Sequence, residues 1–276
     1  MKKLILIMIS AFAFNANAQD NLDEADRKLD GGYEEVTLKE REIVTYDHLR
    51  EADIKWKKRI WRVIDFKEKI NLPFAHPQKG IVKILHDAAK SGEIQVFTLS
   101  DKGETFQEPM KAQDVAQIGV RNDTITRVNF ETGLEERVPA VSDFDPAKVT
   151  KMRIKEEWYF DIETSSMVTR ILGICMVTDK VSEQGDYVGD QPMYWIYYPD
   201  VRKILAQNQV FNVQNDANTT SWEDVMEMRY FSSYIYKETN AFERRIQEYA
   251  TGNDLLYESD RIHNMIRDKE SDYWEY

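Results

Sequence analysis

The stretch from Met152 to Val177 constrains this chain most, because it reads as two strands joined by a polar turn. From Met152 to Ile162 the even positions carry Met152, Ile154, Glu156, Trp158, Phe160 and Ile162, and the odd ones Arg153, Lys155, Glu157, Tyr159 and Asp161. Successive strand residues point to opposite faces, so one face is apolar, with Glu156 its exception, and the other is wet. Glu163-Thr164-Ser165-Ser166 supplies the turn. Met167 to Val177 then returns with apolar residues at both parities, the pattern of a strand covered on both faces. A third run, Met193 to Tyr198, stops at Pro199. The expected class is α+β: a mostly antiparallel central sheet in the C-terminal half with packed helices, and a smaller mixed α/β N-terminal subdomain. Trp158 and Phe160, on the apolar face, are expected in the core.

Taken in order, residues 1–18 read as a signal peptide: Lys2 and Lys3, an apolar run from Leu4 to Phe14, and Ala16-Asn17-Ala18 as a small-residue cleavage site. No cysteine lies beside that site to take a lipid. No later segment approaches the roughly 20 apolar residues of a membrane span. Residues 19–52 form a charged arm with few apolar side chains, too few to order itself alone; it is either flexible or folds against a neighbour. Lys55 to Phe74 fits a helix or a strand equally well. Ile81, Val82, Leu85 and Ala89 make one side of a helix over Pro77 to Lys90, stopped by Gly92. A short strand at Ile94 to Phe97, a short helix at Lys111 to Ile118 and a strand at Asp123 to Phe130 follow. Asp143-Phe144-Asp145-Pro146 is a turn-forming joint, taken as the boundary between subdomains 53–145 and 146–276.

Beyond Pro199 helices are expected. Ser221 followed by Glu223 and Asp224 is a capping signature, and the helix it starts has Trp222, Val225, Met226, Tyr230, Phe231, Tyr234 and Ile235 as a wide apolar surface. Asn240 with Glu243 makes a second cap, and a last helix runs from Asp254 to Lys269. The terminal Tyr273-Trp274-Glu275-Tyr276 either packs back on the domain or docks on a partner.

Charge and motif content narrow the function. The formal net charge is −12, and loss of the first 18 residues with their two lysines would make it −14. So acidic a balance argues against nucleic acid, whose phosphates are met by basic side chains. Cys175 is the only cysteine, so no intramolecular disulfide can form, and its apolar neighbours suit a buried role rather than a nucleophile. His48, His76, His86 and His263 are scattered, without metal-ligand spacing. No glycine-rich phosphate loop or nucleophile elbow is present. The best catalytic pair is Asp161 and Glu163, on one face at roughly 6.5 to 7 Å between Cα atoms. With the many aromatics as a sugar platform, it would suit a glycan-binding or glycoside-hydrolase-like protein. Alternating carboxylates on a strand more often serve solubility. The residues alone thus give an exported α+β protein with much aromatic surface and no convincing catalytic template; catalytic, cofactor-binding and metal-binding residues are assigned as none.

The ordered blocks KRIWRVIDFKEKINLP (58 to 73), LHDAAKSGEIQVF (85 to 97), IKEEWYFD, RILGI, PMYWIYYPDVRKILA, VFNVQNDA and RYFSSYIYKETN resemble the gliding-motility GldN family, called PorN in non-gliding relatives. The resemblance implies a non-enzymatic periplasmic subunit of the type IX secretion system, held at the outer membrane through a lipoprotein partner. It implies a ring formed with that lipoprotein, GldK or PorK, contacts to further copies of the same chain, and a periplasmic shaft protein, GldM or PorM. It also implies a role in protein secretion and gliding motility, with no direct membrane insertion.

Overall fold

The computed structural model describes residues 38–99, 106–128, 135–182, 184–212, 215, 217 and 219–274. The expected signal peptide, the arm up to residue 37, and Glu275 and Tyr276 lie outside them.

The block after residue 53 becomes strand β1 (Ile54–Asp65), followed by 3-10 turns over Lys69–Ala75. Helix α1 (Ile81–Ser91) buries Ile81, Val82, Leu85, Ala88 and Ala89, one side of a 3.6-residue repeat. Gly92 closes it in the left-handed region, φ 79°, where a side chain would be strained. Short β2 (Val96–Phe97), β3 (Pro109–Met110) and α2 (Ala112–Val115) follow, then the separate hairpin β4 (Arg121–Val128) and β5 (Glu135–Ser142). The principal strands are β6 (Val149–Asp161), β7 (Ser166–Val181) and β8 (Tyr187–Tyr197). Pro199, at the first turn where its missing N–H costs nothing, opens α3 (Tyr198–Ala206). α4 (Trp222–Glu227), β9 (Tyr234–Glu238) and α5 (Asp254–Trp274) complete the chain.

The sheet order is β3-β2-β8-β7-β6-β1-β9, antiparallel at every pairing. The α+β class and the antiparallel sheet are as the sequence indicates. The boundary drawn at residue 145 falls between strands of this one sheet, since β1 pairs with β6 and β9, and β2 with β8, all beyond it. One sheet face carries Ile64, Met152, Ile154, Ile174, Met176 and Ile196 against α1, α3 and α4. At the β9 end of the same face, Ile60 and Ile235 pack with Ile262 and Ile266 of α5.

Four expectations change. The odd-numbered face of β6 is not wet: Arg153, Lys155 and Tyr159 are buried. Trp61, Tyr236 and Phe106 flank these cations, with Lys155 Nζ 5.8 Å from the Trp61 ring and 5.1 Å from that of Phe106, and Arg153 5.0 Å from Tyr236. Long basic side chains bury their stems along such rings and keep an attraction to the π face. Phe106 lies over Gly173, where a Cβ would come within 2.4 Å of its ring. Trp158 is only half-buried, whereas Phe160 is in the core as expected. The helix from Trp222 ends at Glu227, and Tyr234 and Ile235 belong to β9. Asn240 caps a turn, its Oδ1 accepting from the amides of Phe242 and Arg244, but only a 3-10 turn at Ile246–Glu248 follows. Tyr273, for its part, packs back on the domain, its ring tilted against Phe160 with centres 4.6 Å apart.

Candidate functional site: an arginine-held strap

Residues 41–50 form no helix or strand, yet they lie along the domain as an extended strap. What fixes them is side-chain chemistry from α3, α4 and β7. Ser221 and Asp224 make a reciprocal capping box at the start of α4. Asp224 therefore faces outward from a fixed helix end, and Arg41 meets it with two bonds, Nη1 to Oδ2 at 2.7 Å and Nη2 to Oδ1 at 2.5 Å. Burial works to raise the Asp224 pKa, but the Ser221 amide and hydroxyl and the Arg41 guanidinium outweigh it and hold the carboxyl below its usual range.

Arg202 is the second anchor. It occupies the buried side of α3 with Tyr198, Val201 and Leu205. Its Nη2 donates to Glu223 Oε1 at 2.6 Å and to the Val44 carbonyl at 2.8 Å. Its guanidinium stacks 4.1 Å from the ring centre of Tyr46. The Tyr46 hydroxyl donates to Glu227 Oε1 at 2.5 Å, an atom that also accepts from Tyr198 at 3.0 Å. Burial, then the bond to Glu227, pushes the Tyr46 phenol above its ordinary range, so it stays a donor at any physiological pH. The guanidinium of Arg170 on β7 lies 5.0 Å from the Tyr46 ring centre and donates to the Asp47 carbonyl. Gln207 reaches the Lys39 carbonyl at 3.3 Å. The domain thus grips an extended polypeptide by its carbonyls and one aromatic, without a β-ladder.

The catalytic alternative fares differently. Asp161 is buried, its Oδ1 accepting from the Glu163 amide and its Oδ2 from Thr164 Oγ1, both at 3.0 Å. Both oxygens shape the β6–β7 turn, while Glu163 is exposed. The histidines stay apart: His48 is exposed on the strap, His76 Nδ1 accepts from the amides of Gln78 and Lys79, His86 is buried and His263 lies on α5. Among the described residues no group of three or more His, Cys, Asp or Glu is placed to hold a metal ion. Nor is any helix there long and apolar enough to cross a membrane.

The strap residues were not singled out from the sequence. One signal was present, since Arg202 interrupts the apolar side of α3. Its partners, up to 158 residues away along the chain, gave none.

A model of the family described as gliding motility associated protein GldN matches residues 49–275. The chain belongs to the GldN family. The match starts at the end of the strap and spans every strand and helix of the domain. No curated protein matches the chain. As a member of this family the chain is a gliding-motility-associated protein, and its family resemblance runs through the whole sheet rather than through one local motif.

Proposed function

We propose that this GldN-family chain is a non-enzymatic structural subunit of the type IX secretion system, acting in the periplasm beneath the outer membrane. It builds a ring with an outer-membrane lipoprotein of the GldK or PorK kind, contacts further copies of itself, and meets the periplasmic shaft protein GldM or PorM. The family match over 49–275 carries the reading. Two physical features support it. The first 18 residues have the charge and apolar pattern of an export signal. The domain also holds extended chain through guanidinium-to-carbonyl bonds, a chemistry suited to gripping polypeptide in an assembly.

The test is co-expression of the full chain with the lipoprotein, mild solubilisation, and mass determination by light scattering, with the chain alone as control. A co-complex on the order of a megadalton, formed only with the lipoprotein, is expected of a closed ring of repeated contacts. A monomer of unchanged mass in both samples would overturn the reading.

A further inference from the structure

A polar cleft of about 310 Å³ opens on the helix-covered face of the sheet, lined by residues that include Arg62, Trp158, Arg229, Asp260 and His263. Behind its lining residues lies Glu156, the one charge on the apolar side of β6, fully buried. Glu156 Oε2 accepts from Trp158 Nε1 at 2.8 Å and from Arg62 Nε at 3.3 Å, and Oε1 accepts from Arg229 Nη2 at 2.7 Å. Arg62 is itself more than nine-tenths buried, and its Nη2 lies 3.5 Å from His263 Nδ1.

The charges do not balance. Three guanidiniums, those of Arg62, Arg229 and Arg267, act around His263 with two carboxylates, buried Glu156 and exposed Asp260, which leaves about one positive charge beside a buried Arg62, where an unpaired charge is costly. At the rim, Asp260 is exposed and opposes Arg267 in acting on His263. Burial first, and then the charges of Arg62, Arg267 and Arg229, lower the His263 pKa, so its imidazole is neutral at neutral pH and adds no further cation. Burial, reinforced by the Arg229 charge and opposed by Glu156, also lowers the pKa of Arg62.

The backbone gives an independent sign. Arg229 follows the C-cap residue Met228 of α4 with φ 56°, and the Tyr230 amide bonds the Val225 carbonyl at 2.9 Å, the closing pattern in which glycine is the usual residue. A non-glycine residue is strained in that conformation. The Arg229 guanidinium lies over Trp158, 5.3 Å from its ring.

We propose that this cleft binds a carboxylate, taken between the free N–H groups of Arg62 and Arg229 against the indole of Trp158. One surplus charge, planar donors and an aromatic wall fit a monoanionic, planar group better than a phosphate. The carboxylate is borne either by a small free acid or by an acidic segment of protein. The proposal does not depend on the ring reading.

The test is a thermal-unfolding titration of the full chain with sodium acetate and with a capped acidic tetrapeptide. Sodium chloride at equal ionic strength and the matching glutamine peptide are the controls. Saturable stabilisation beyond the controls is expected, by acetate if the source is a free acid and by the peptide alone if it is protein. Arg229→Gln, which leaves the Arg62–Glu156 pair intact, should weaken the response by roughly tenfold or more. Arg229→Gly, which suits the left-handed turn, should do the same and guards against a misfolded variant. Shifts no larger than those of chloride and the glutamine peptide, or variants that respond like the parent chain, would overturn the proposal.

Discussion

His86 is held neutral by its surroundings. Its ring stacks on Phe144 with centres 3.8 Å apart, its Nδ1 lies 3.0 Å from the Tyr194 hydroxyl, and burial pushes its pKa down to about 4. The folded value lies below the ordinary ~6.5, so on acidification the unfolded chain takes the proton first. The resulting stability is fully present above about pH 6.5 and is lost as pH falls from there towards 4, amounting to about 3 kcal/mol. His86→Asn should flatten that part of the stability profile, measured as urea midpoints between pH 4.5 and 7.5; an unchanged slope in the variant would show that other groups carry it. At this scale the sequence was partly legible. Glu156 stood out as a charge on an apolar face, and the buried role of Cys175 followed from its neighbours. The partners of Glu156 did not, because Arg62 and Arg229 lie 94 and 73 residues away. Trp158 has the parity of a core residue, but a polar cleft opens beside it, and periodicity carries no information about where a core ends.

Among the elements, α4 shows how a six-residue helix is made to persist. It is too short to be stable by propensity alone, so its capping box and buried Trp222 and Met226 define it. The Ser221-Asp224 signature was readable because both ends of that interaction are local. Its length was not: Tyr230, Tyr234 and Ile235 mimic a helical spacing, while β9 is specified by pairing with β1 about 170 residues earlier. Asp224 links the helix to the strap, and a double-mutant cycle with Arg41→Gln and Asp224→Asn isolates that link. The expected coupling is about 0.5–1 kcal/mol at neutral pH. Because the Asp224 pKa is depressed in the fold, the coupling should be intact above the ordinary carboxylate value of ~3.9 and vanish as pH falls below it. A coupling near zero at pH 7 would mean that the strap is held by Tyr46 and Arg202 alone.

At the scale of the molecule, the sheet and the strap rest on different physics. The sheet is sealed by apolar burial on its helix-covered face, which salt does not weaken. The strap has no ladder, and its Arg41–Asp224 pair is open to solvent, the two side chains 36% and 20% exposed. At ~1 M salt the Debye length is only about 3 Å, enough to screen such a pair but not the buried Arg202–Glu223 contact. Raising sodium chloride should therefore loosen the strap from its Arg41 end while the domain still unfolds in one transition at an almost unchanged temperature. Trypsin reads the difference: cleavage after Lys39 and Arg41 should accelerate roughly severalfold in high salt, and cleavage after Arg50, beyond the Tyr46 anchor, should lag behind. Equal acceleration at all three sites would mean that Tyr46 and Arg202 do not form a separate anchor. No acceleration at any of them would show that the strap is fixed by burial and shares the stability of the sheet.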